Sequence, residues 1–147
     1  MRITGAQVAK EIRETLKRNY SSIAFSVRYN CPSVSVRWTD GPTQDEVRTF
    51  VYRFEGEEFS QGSDCYIRKG SFEWRGQMVT SGVHFINLDR DYTKASKDAV
   101  AAEVQAWYQL PGVYNDGADA TLESASRQRC YQSFYYLLMD RLGNTSF

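Results

Sequence analysis

The side chains best suited to acid–base chemistry lie in one short stretch, in which the chain's single histidine, His84, precedes Asp89 and Asp91. An imidazole beside two carboxylates has the groups that general acid–base or metal-assisted hydrolysis needs. The alternating pattern around His84 instead predicts a strand whose end is capped by polar residues. We therefore expect a hydrogen-bonded structural histidine, and a small hydrolase or nuclease using His84 with Asp89 or Asp91 is an alternative prediction.

Other catalytic signatures do not occur in the sequence. The serines lack a Gly-x-Ser-x-Gly setting, and no glycine-rich loop ends in the Gly-Lys-Ser/Thr pattern that holds phosphates. Three widely spaced cysteines and one histidine do not suggest a zinc site. We therefore predict a chain that is not an enzyme, with no catalytic residue, no cofactor and no metal.

A second set of candidate residues is basic and indicates nucleic acid as a possible ligand. Lys10 and Lys17 lie on the polar side of a predicted helix, and Arg28 and Arg37 lie on the polar face of a predicted hairpin. If the two pairs faced the same way, they would form a salt-sensitive nucleic-acid footprint. Acidic residues interleave with the helical lysines, so solvated faces are preferred, and a nucleic-acid-binding accessory domain is the alternative.

Composition limits the size and class of the molecule. The chain has 147 residues, which favours one domain, and it is 41% hydrophobic and 14% aromatic, which favours a packed core. The 18 basic and 18 acidic residues cancel, so no whole-molecule field attracts polyanions. An odd number of cysteines, with neither a signal-peptide run nor a membrane span, predicts a cytoplasmic protein with reduced thiols that does not contact a membrane.

The first elements of the chain have clear local signals. Thr4 and Gln7 form a capping-box pattern ahead of a helix expected over residues 5–18. An alternating hairpin follows, with a turn at Pro32 that is either a tight cis-proline turn or a wider loop. Its predicted pairs are Tyr29 with Val34, Val27 with Val36 and Phe25 with Trp38.

The middle of the chain predicts a second helix and several short strands. Thr43 and Glu46 form another capping-box pattern, and the helix that follows is expected to end near Glu55. Residues 57–63 are typical of a loop. Strands are expected at Cys65 to Arg68, at Phe72 to Trp74 and at Val83 to Leu88.

The last third of the chain predicts helices. One helix contains Val100 and Val104 and is stopped by Pro111, and another is expected over residues 121–142. Apolar residues lie on two adjacent lines of this last helix, which is wider than the stripe of an ordinary surface helix. Such a helix is either clamped between two layers of the fold or shared with a partner.

These elements together predict a single α+β domain. We expect an antiparallel sheet of four to five strands with the N-terminal and central helices on one face, joined by two C-terminal helices. Residues 1–92 would form the α+β core, and residues 93–147 a helical extension packed on the same domain.

Four runs of residues carry a family resemblance. They are Gly5-Ala6-Gln7-Val8-Ala9-Lys10-Glu11-Ile12-Arg13, Phe25-Ser26-Val27-Arg28, Val36-Arg37-Trp38-Thr39-Asp40-Gly41-Pro42-Thr43 and Phe85-Ile86 followed by Arg90-Asp91-Tyr92. Over residues 4–92 the chain resembles the large polyvalent protein-associated domain family, number 29 of its series. The resemblance implies a phage, plasmid or other mobile-element setting, in which companion domains counter host defences. It transfers no catalytic residue.

This setting leads to a prediction of function. We expect a non-enzymatic binding protein of phage or plasmid origin that antagonises a host defence system, such as an anti-CRISPR-type inhibitor, by protein–protein contact. The partner would be a host defence protein or complex, and the C-terminal helix offers a possible self-association face. The predicted partner-binding residues are Tyr131, Phe134, Tyr135 and Leu138.

Overall fold

The computed structural model describes residues 1–147 as a mixed α+β protein with five α-helices and eight strands in three small sheets. The strands are β1 (Arg2–Ile3), β2 (Ser26–Asn30), β3 (Ser33–Thr39), β4 (Glu57–Ser60), β5 (Cys65–Arg68), β6 (Phe72–Trp74), β7 (Gln77–Ser81) and β8 (Ile86–Asp91). The helices are α1 (Gly5–Asn19), α2 (Gln44–Val51), α3 (Lys94–Tyr108), α4 (Ala120–Cys130) and α5 (Phe134–Gly143), and a 3-10 turn (Tyr52–Phe54) extends α2. The predicted α+β class is confirmed.

Contacts between residues divide the chain into two compact units. The first unit comprises Met1–Thr39 and Gln44–Arg90, and the second comprises Asp40–Thr43 and Asp91–Phe147. That residues 93–147 pack on the preceding domain stays a prediction. None of the helices is long and apolar enough to cross a membrane.

Helix α1 forms as its sequence predicts. The Thr4 N–H donates to Gln7 Oε1 at 2.8 Å, and the Gln7 N–H donates to Thr4 Oγ1 at 3.2 Å, so the capping box is present. The side chains of Val8, Ile12 and Leu16 are fully buried in the core of the first unit. Because these residues recur every fourth position, the opposite side of α1 faces solvent.

The predicted hairpin is confirmed in its register. Val27 pairs with Val36 and Tyr29 with Val34, and the Cys31–Pro32 peptide in the two-residue connection is cis. Phe25 lies outside the ladder because β2 begins at Ser26, but the ring centroids of Phe25 and Trp38 are 5.6 Å apart. Register could be predicted because slipping by one residue would turn every apolar side chain out of the core.

The sheets are smaller than predicted, with two or three strands each instead of four to five. Their strand orders are β1-β7-β6, β2-β3-β8 and β4-β5, and β1 runs parallel to β7. Strand β1 has only two residues, too few to show alternation, and β4 lies in the segment predicted as a loop. The predicted strand at Cys65 to Arg68 is confirmed as β5, whereas residues 57–60, Glu-Glu-Phe-Ser, have no alternation of apolar and polar residues that would predict β4.

The predicted helix over residues 121–142 is wrong, because the chain breaks there into α4 and α5. Tyr131 adopts the left-handed conformation with φ 56°, and the Ser133 Oγ caps α5 by accepting from the Tyr136 N–H at 3.2 Å. The Glu123 carboxylate of α4 accepts the Phe134 N–H at 3.0 Å. After this redirection α5 buries Phe134, Leu137, Leu138 and Leu142 in one core, whereas Tyr131 and Tyr135 stay exposed.

Candidate functional site

The imidazole of His84 has a carboxylate partner that the sequence did not indicate. His84 Nδ1 lies 2.9 Å from Glu57 Oε1, whereas the Asp89 carboxylate accepts from Arg37 Nε at 2.9 Å. Glu57 is the first residue of β4. The structure therefore does not bring His84 together with Asp89 as the hydrolase alternative required, and it provides a His–Glu pair in its place.

A small cavity of about 90 Å³ lies beside this pair in the first unit. Four basic side chains line it, together with one carboxylate, that of Glu57; the basic residues are Arg2, Arg68, Lys69 and His84. Strand pairing brings them together, because Arg2 of β1 is in register with Thr80 of β7, and Glu57 of β4 with Arg68 of β5. The cavity thus collects positive charge from separate elements.

Lys69 is held by two contacts with Tyr52. Its Nζ atom donates to the Tyr52 carbonyl at 2.8 Å and lies 3.3 Å from the centroid of the Tyr52 ring. Partial burial lowers the pKa of Lys69, while the carboxylates of Glu55 and Glu58 act in the opposite direction.

A larger cavity of about 580 Å³ shares Glu57 as a lining residue. Its lining includes the rings of Phe59, Tyr66 and Phe85, with centroids 5.5 Å apart for Phe59 and Tyr66 and 5.0 Å apart for Tyr66 and Phe85. Phe59 and Tyr66 are more than half exposed. Register places Glu57, Phe59, Tyr66 and Arg68 on the same face of the β4–β5 hairpin, so its aromatic and charged pairs are neighbours.

The carboxylates of the larger cavity are held by hydrogen bonds. Glu55 Oε1 accepts the Ile86 N–H at 2.9 Å, and Glu58 Oε2 accepts the Tyr52 hydroxyl at 3.1 Å. The bond to Glu58 raises the pKa of Tyr52, because it stabilises the protonated phenol. Three carboxylates and one guanidinium, that of Arg48, line the larger cavity, so its lining is net acidic, whereas basic residues predominate in the lining of the smaller one.

The basic residues of the nucleic-acid alternative do not form one footprint. Arg28 and Arg37 line a depression of about 250 Å³ on the polar face of β2 and β3. Helix α1 packs on the opposite, apolar face of that hairpin and directs Lys10 and Lys17 away from it. Because the two pairs lie on opposite sides of this layer, they cannot contact one stretch of phosphate backbone together.

The predicted partner-binding residues separate into core and surface. Phe134 and Leu138 are buried in the second unit, so they are not available to a partner, whereas Tyr131 and Tyr135 are 91% and 69% exposed. Helical periodicity is the reason, because Phe134, Leu138 and Leu142 recur on one face of α5 and Tyr135 lies on another. Sequence reasoning missed Trp107, which is 81% exposed although it occupies an apolar position of α3.

Trp107 borders a groove of about 290 Å³ between α3 and α5. Glu103, Tyr108, Leu137, Asp140 and Arg141 also line it. Arg141 Nη2 lies 3.1 Å from Glu103 Oε1, and this ion pair lowers the pKa of Glu103. We call Glu103, Trp107, Tyr108, Tyr136 and Asp140 the Trp107 surface; Tyr136 is exposed and precedes Asp140 by one helical turn.

The neutral total charge conceals a difference between the two units. The first unit has 13 Lys and Arg against 10 Asp and Glu, a formal charge of +3. The second unit has 5 Lys and Arg against 8 Asp and Glu, a formal charge of −3. The Trp107 surface therefore belongs to an acidic unit, and the His84–Glu57 pair to a basic one.

Comparison with known proteins gives one match. The profile of the family described as large polyvalent protein associated domain 29 matches residues 3–93. No curated protein matches the chain, and no solved structure does. The matched range contains the His84–Glu57 pair, whereas α3, α4 and α5 lie outside it.

Proposed function

Because this chain belongs to the large polyvalent protein associated domain 29 family, whose name indicates a phage or mobile-element setting, we propose that it is a non-enzymatic binding protein of a phage or plasmid. It antagonises a host defence system by protein–protein contact, as an anti-CRISPR-type inhibitor does. The contact is made by the second unit.

The Trp107 surface is the observation that carries this proposal. Trp and Tyr are the residue types most enriched at the energetic centres of protein interfaces, because they bury a large area with few rotatable bonds. Trp107 and Tyr136 are 81% and 55% exposed in the free chain. A groove lined by Leu137 lies next to them and can receive a partner side chain.

The charge of the second unit indicates the chemistry of the partner. With a formal charge of −3 and with Glu103 and Asp140 beside the groove, this unit repels nucleic acid and attracts a basic protein surface. Proteins that bind nucleic acid have basic faces. The proposed target is therefore the nucleic-acid-binding face of a host defence protein, with a Lys or Arg of the target over the Trp107 ring.

Tyr131 and Tyr135 extend the exposed aromatic area beyond the Trp107 surface. They are proposed as a second contact region, either for the same target or for another copy of the chain. Sedimentation of the purified chain distinguishes these two uses. If Tyr131 and Tyr135 mediate self-association, the wild type sediments as an oligomer and the variant with both tyrosines changed to alanine sediments as a monomer.

A protection assay tests the proposal. The chain is expressed in hosts carrying different nucleic-acid-targeting defence systems, and the plating efficiency of a targeted phage is measured with and without it. We expect protection against one system, reduced at least about tenfold by Trp107→Ala and by Asp140→Asn, since interface truncations of this kind cost about 2 kcal/mol. Met78→Ala, which removes an exposed side chain of the first unit, is the matched control.

Two results count against the proposal. One is an absence of protection in every host despite folded, expressed protein. The other is an equal loss of protection with Met78→Ala, which would mean that the Trp107 surface has no special part. The affinity of the purified chain for the purified defence protein must likewise fall in Trp107→Ala and Asp140→Asn and stay unchanged in Met78→Ala.

A further inference from the structure

We propose that the first unit binds a nucleotide, with its phosphate in the cationic cavity beside His84 and its base against the rings of Phe59, Tyr66 and Phe85. This site does not depend on the proposed function, because it lies in the other unit and uses none of the residues of the Trp107 surface.

The cationic cavity has the side chains that recognise a phosphate. Arg2 and Arg68 bring two guanidinium groups to a space in whose lining Glu57 is the single carboxylate, while the Lys69 ammonium is bound to the Tyr52 carbonyl. Guanidinium and ammonium groups form short, charge-assisted hydrogen bonds with phosphate oxygens. Gathering like charges is unfavourable without a counter-ion, so an anion that enters the cavity relieves their repulsion.

Glu57 orients the imidazole of His84 for such a ligand. A carboxylate 2.9 Å from Nδ1 accepts the proton on that nitrogen and fixes the ring, which leaves Nε2 for the ligand. With that proton on Nδ1, Nε2 is an acceptor and can take a hydrogen bond from a hydroxyl group of the ligand. His84 is then a positioning and binding residue, and no catalytic step is required.

The linings of the two cavities indicate which part of the ligand enters each. The smaller cavity, of about 90 Å³, is lined mostly by charged and polar residues, which suits a phosphate group, whereas three aromatic rings line the larger one. The larger cavity of about 580 Å³ begins at the same Glu57 side chain. A base leaving the phosphate pocket therefore meets Phe59, Tyr66 and Phe85, and stacking on aromatic rings is how proteins hold unpaired bases.

The carboxylates of the larger cavity give the ligand one orientation. Glu55 and Glu58 repel a phosphate, and each has one oxygen engaged by the protein, by the Ile86 N–H and the Tyr52 hydroxyl respectively. The second oxygen of each carboxylate can accept from a base amino group, as Glu does from cytosine N4. We therefore expect a base that carries an exocyclic amino group.

Calorimetric titration of the full chain tests this site. The probes are cytidine 5′-monophosphate, cytidine, inorganic phosphate, and a short oligo-dC with or without a 5′-phosphate. We expect saturable binding of cytidine 5′-monophosphate, at least about tenfold tighter than cytidine and inorganic phosphate, because the nucleotide uses both cavities. Equal affinity for the phosphorylated oligonucleotide indicates a strand end as ligand, and weaker affinity indicates a free nucleotide.

The variants separate the two halves of the site. Arg68→Gln and Arg2→Gln should each weaken the nucleotide at least about tenfold, and Tyr66→Ala should weaken the nucleotide but leave inorganic phosphate unchanged. Arg28→Gln, on the polar face of β2 and β3, is the matched control and should bind as the wild type does. If Arg68→Gln does not fold, as judged by circular dichroism, Arg2→Gln provides the test.

Several results overturn the proposal. These are no saturable binding of any phosphorylated probe, equal binding of cytidine and its monophosphate, equal binding of inorganic phosphate and the nucleotide, or an equal loss in Arg28→Gln. Protection in the defence assay is unaffected by these outcomes, so failure of the nucleotide site and failure of the proposed function are distinguishable.

Discussion

His84 Nδ1 lies 2.9 Å from Glu57 Oε1, and this contact joins the segment before β8 to the first residue of β4. The alternating pattern around His84 predicts a strand but does not indicate its partner, and Glu57 lies in a segment that was predicted as a loop. The contact exists because the Gly56 N–H donates to the Val83 carbonyl at 2.8 Å, which sets the two backbones side by side. A side chain on Gly56 would lie 2.4 Å from the Val83 oxygen, so only glycine permits this approach.

Glu57→Gln tests the contribution of this pair to stability. The amide can still accept a hydrogen bond but carries no charge, so we expect the free energy of unfolding to fall by about 1 kcal/mol or less, since both side chains are partly exposed. Urea denaturation measures the change. Glu58→Gln on the same strand is the control, and a loss of several kcal/mol in Glu57→Gln would contradict the partly exposed environment.

Tyr131→Gly distinguishes the two helices of the structure from one continuous helix. In the structure Tyr131 has φ 56°, a conformation that favours glycine, so we expect the substitution to leave stability unchanged or raise it by up to about 1 kcal/mol. Within a continuous helix the same glycine would lower stability by about 1 kcal/mol. The sign of the change in urea denaturation therefore decides between them.

Phe134→Ala and Tyr135→Ala should differ strongly although the residues are adjacent. Phe134 is fully buried, so its truncation should cost about 3–5 kcal/mol, whereas the exposed Tyr135 should change stability by no more than about 0.5 kcal/mol. Thermal unfolding followed by circular dichroism measures both. Equal destabilisation would show that α5 does not present Tyr135 to solvent.

Glu103→Gln should affect stability in a pH-dependent way. The Arg141 guanidinium lowers the pKa of Glu103 in the folded chain. The ion pair therefore stabilises the protein at any pH above the pKa that Glu103 has in the unfolded chain. This stabilisation is lost as the pH falls through the lower pKa of the folded chain. We therefore expect the melting temperatures of wild type and variant to differ slightly at neutral pH and to converge in acid.

High salt provides the control for this prediction. Both side chains are exposed, so added salt at neutral pH should also bring the two melting temperatures together. A difference that persists in acid or in high salt would mean that Glu103→Gln acts through packing and not through its charge.

Local periodicity was sufficient for α1 and for the β2–β3 hairpin. Their signals are contained within a few consecutive residues, as in the capping box of Thr4 and Gln7 and the pairing of Val27 with Val36. Both predictions were confirmed because one face of each element must be buried. This requirement fixes which side of the helix faces the core and which residues of the hairpin are paired. The family and the α+β class were likewise predicted from the sequence.

Only the tertiary structure decided which of the candidate site residues lie next to one another. His84 meets Glu57 instead of Asp89, and Arg68 and Arg2 line the same cavity, because strands distant along the chain pair through backbone hydrogen bonds that no side-chain pattern records. Tyr131 ends a helix whose apolar pattern continues past it, because the chain turns to bury Phe134. The formal charge of the whole chain is zero, but the grouping of residues in the fold gives one unit a formal charge of +3 and the other a formal charge of −3.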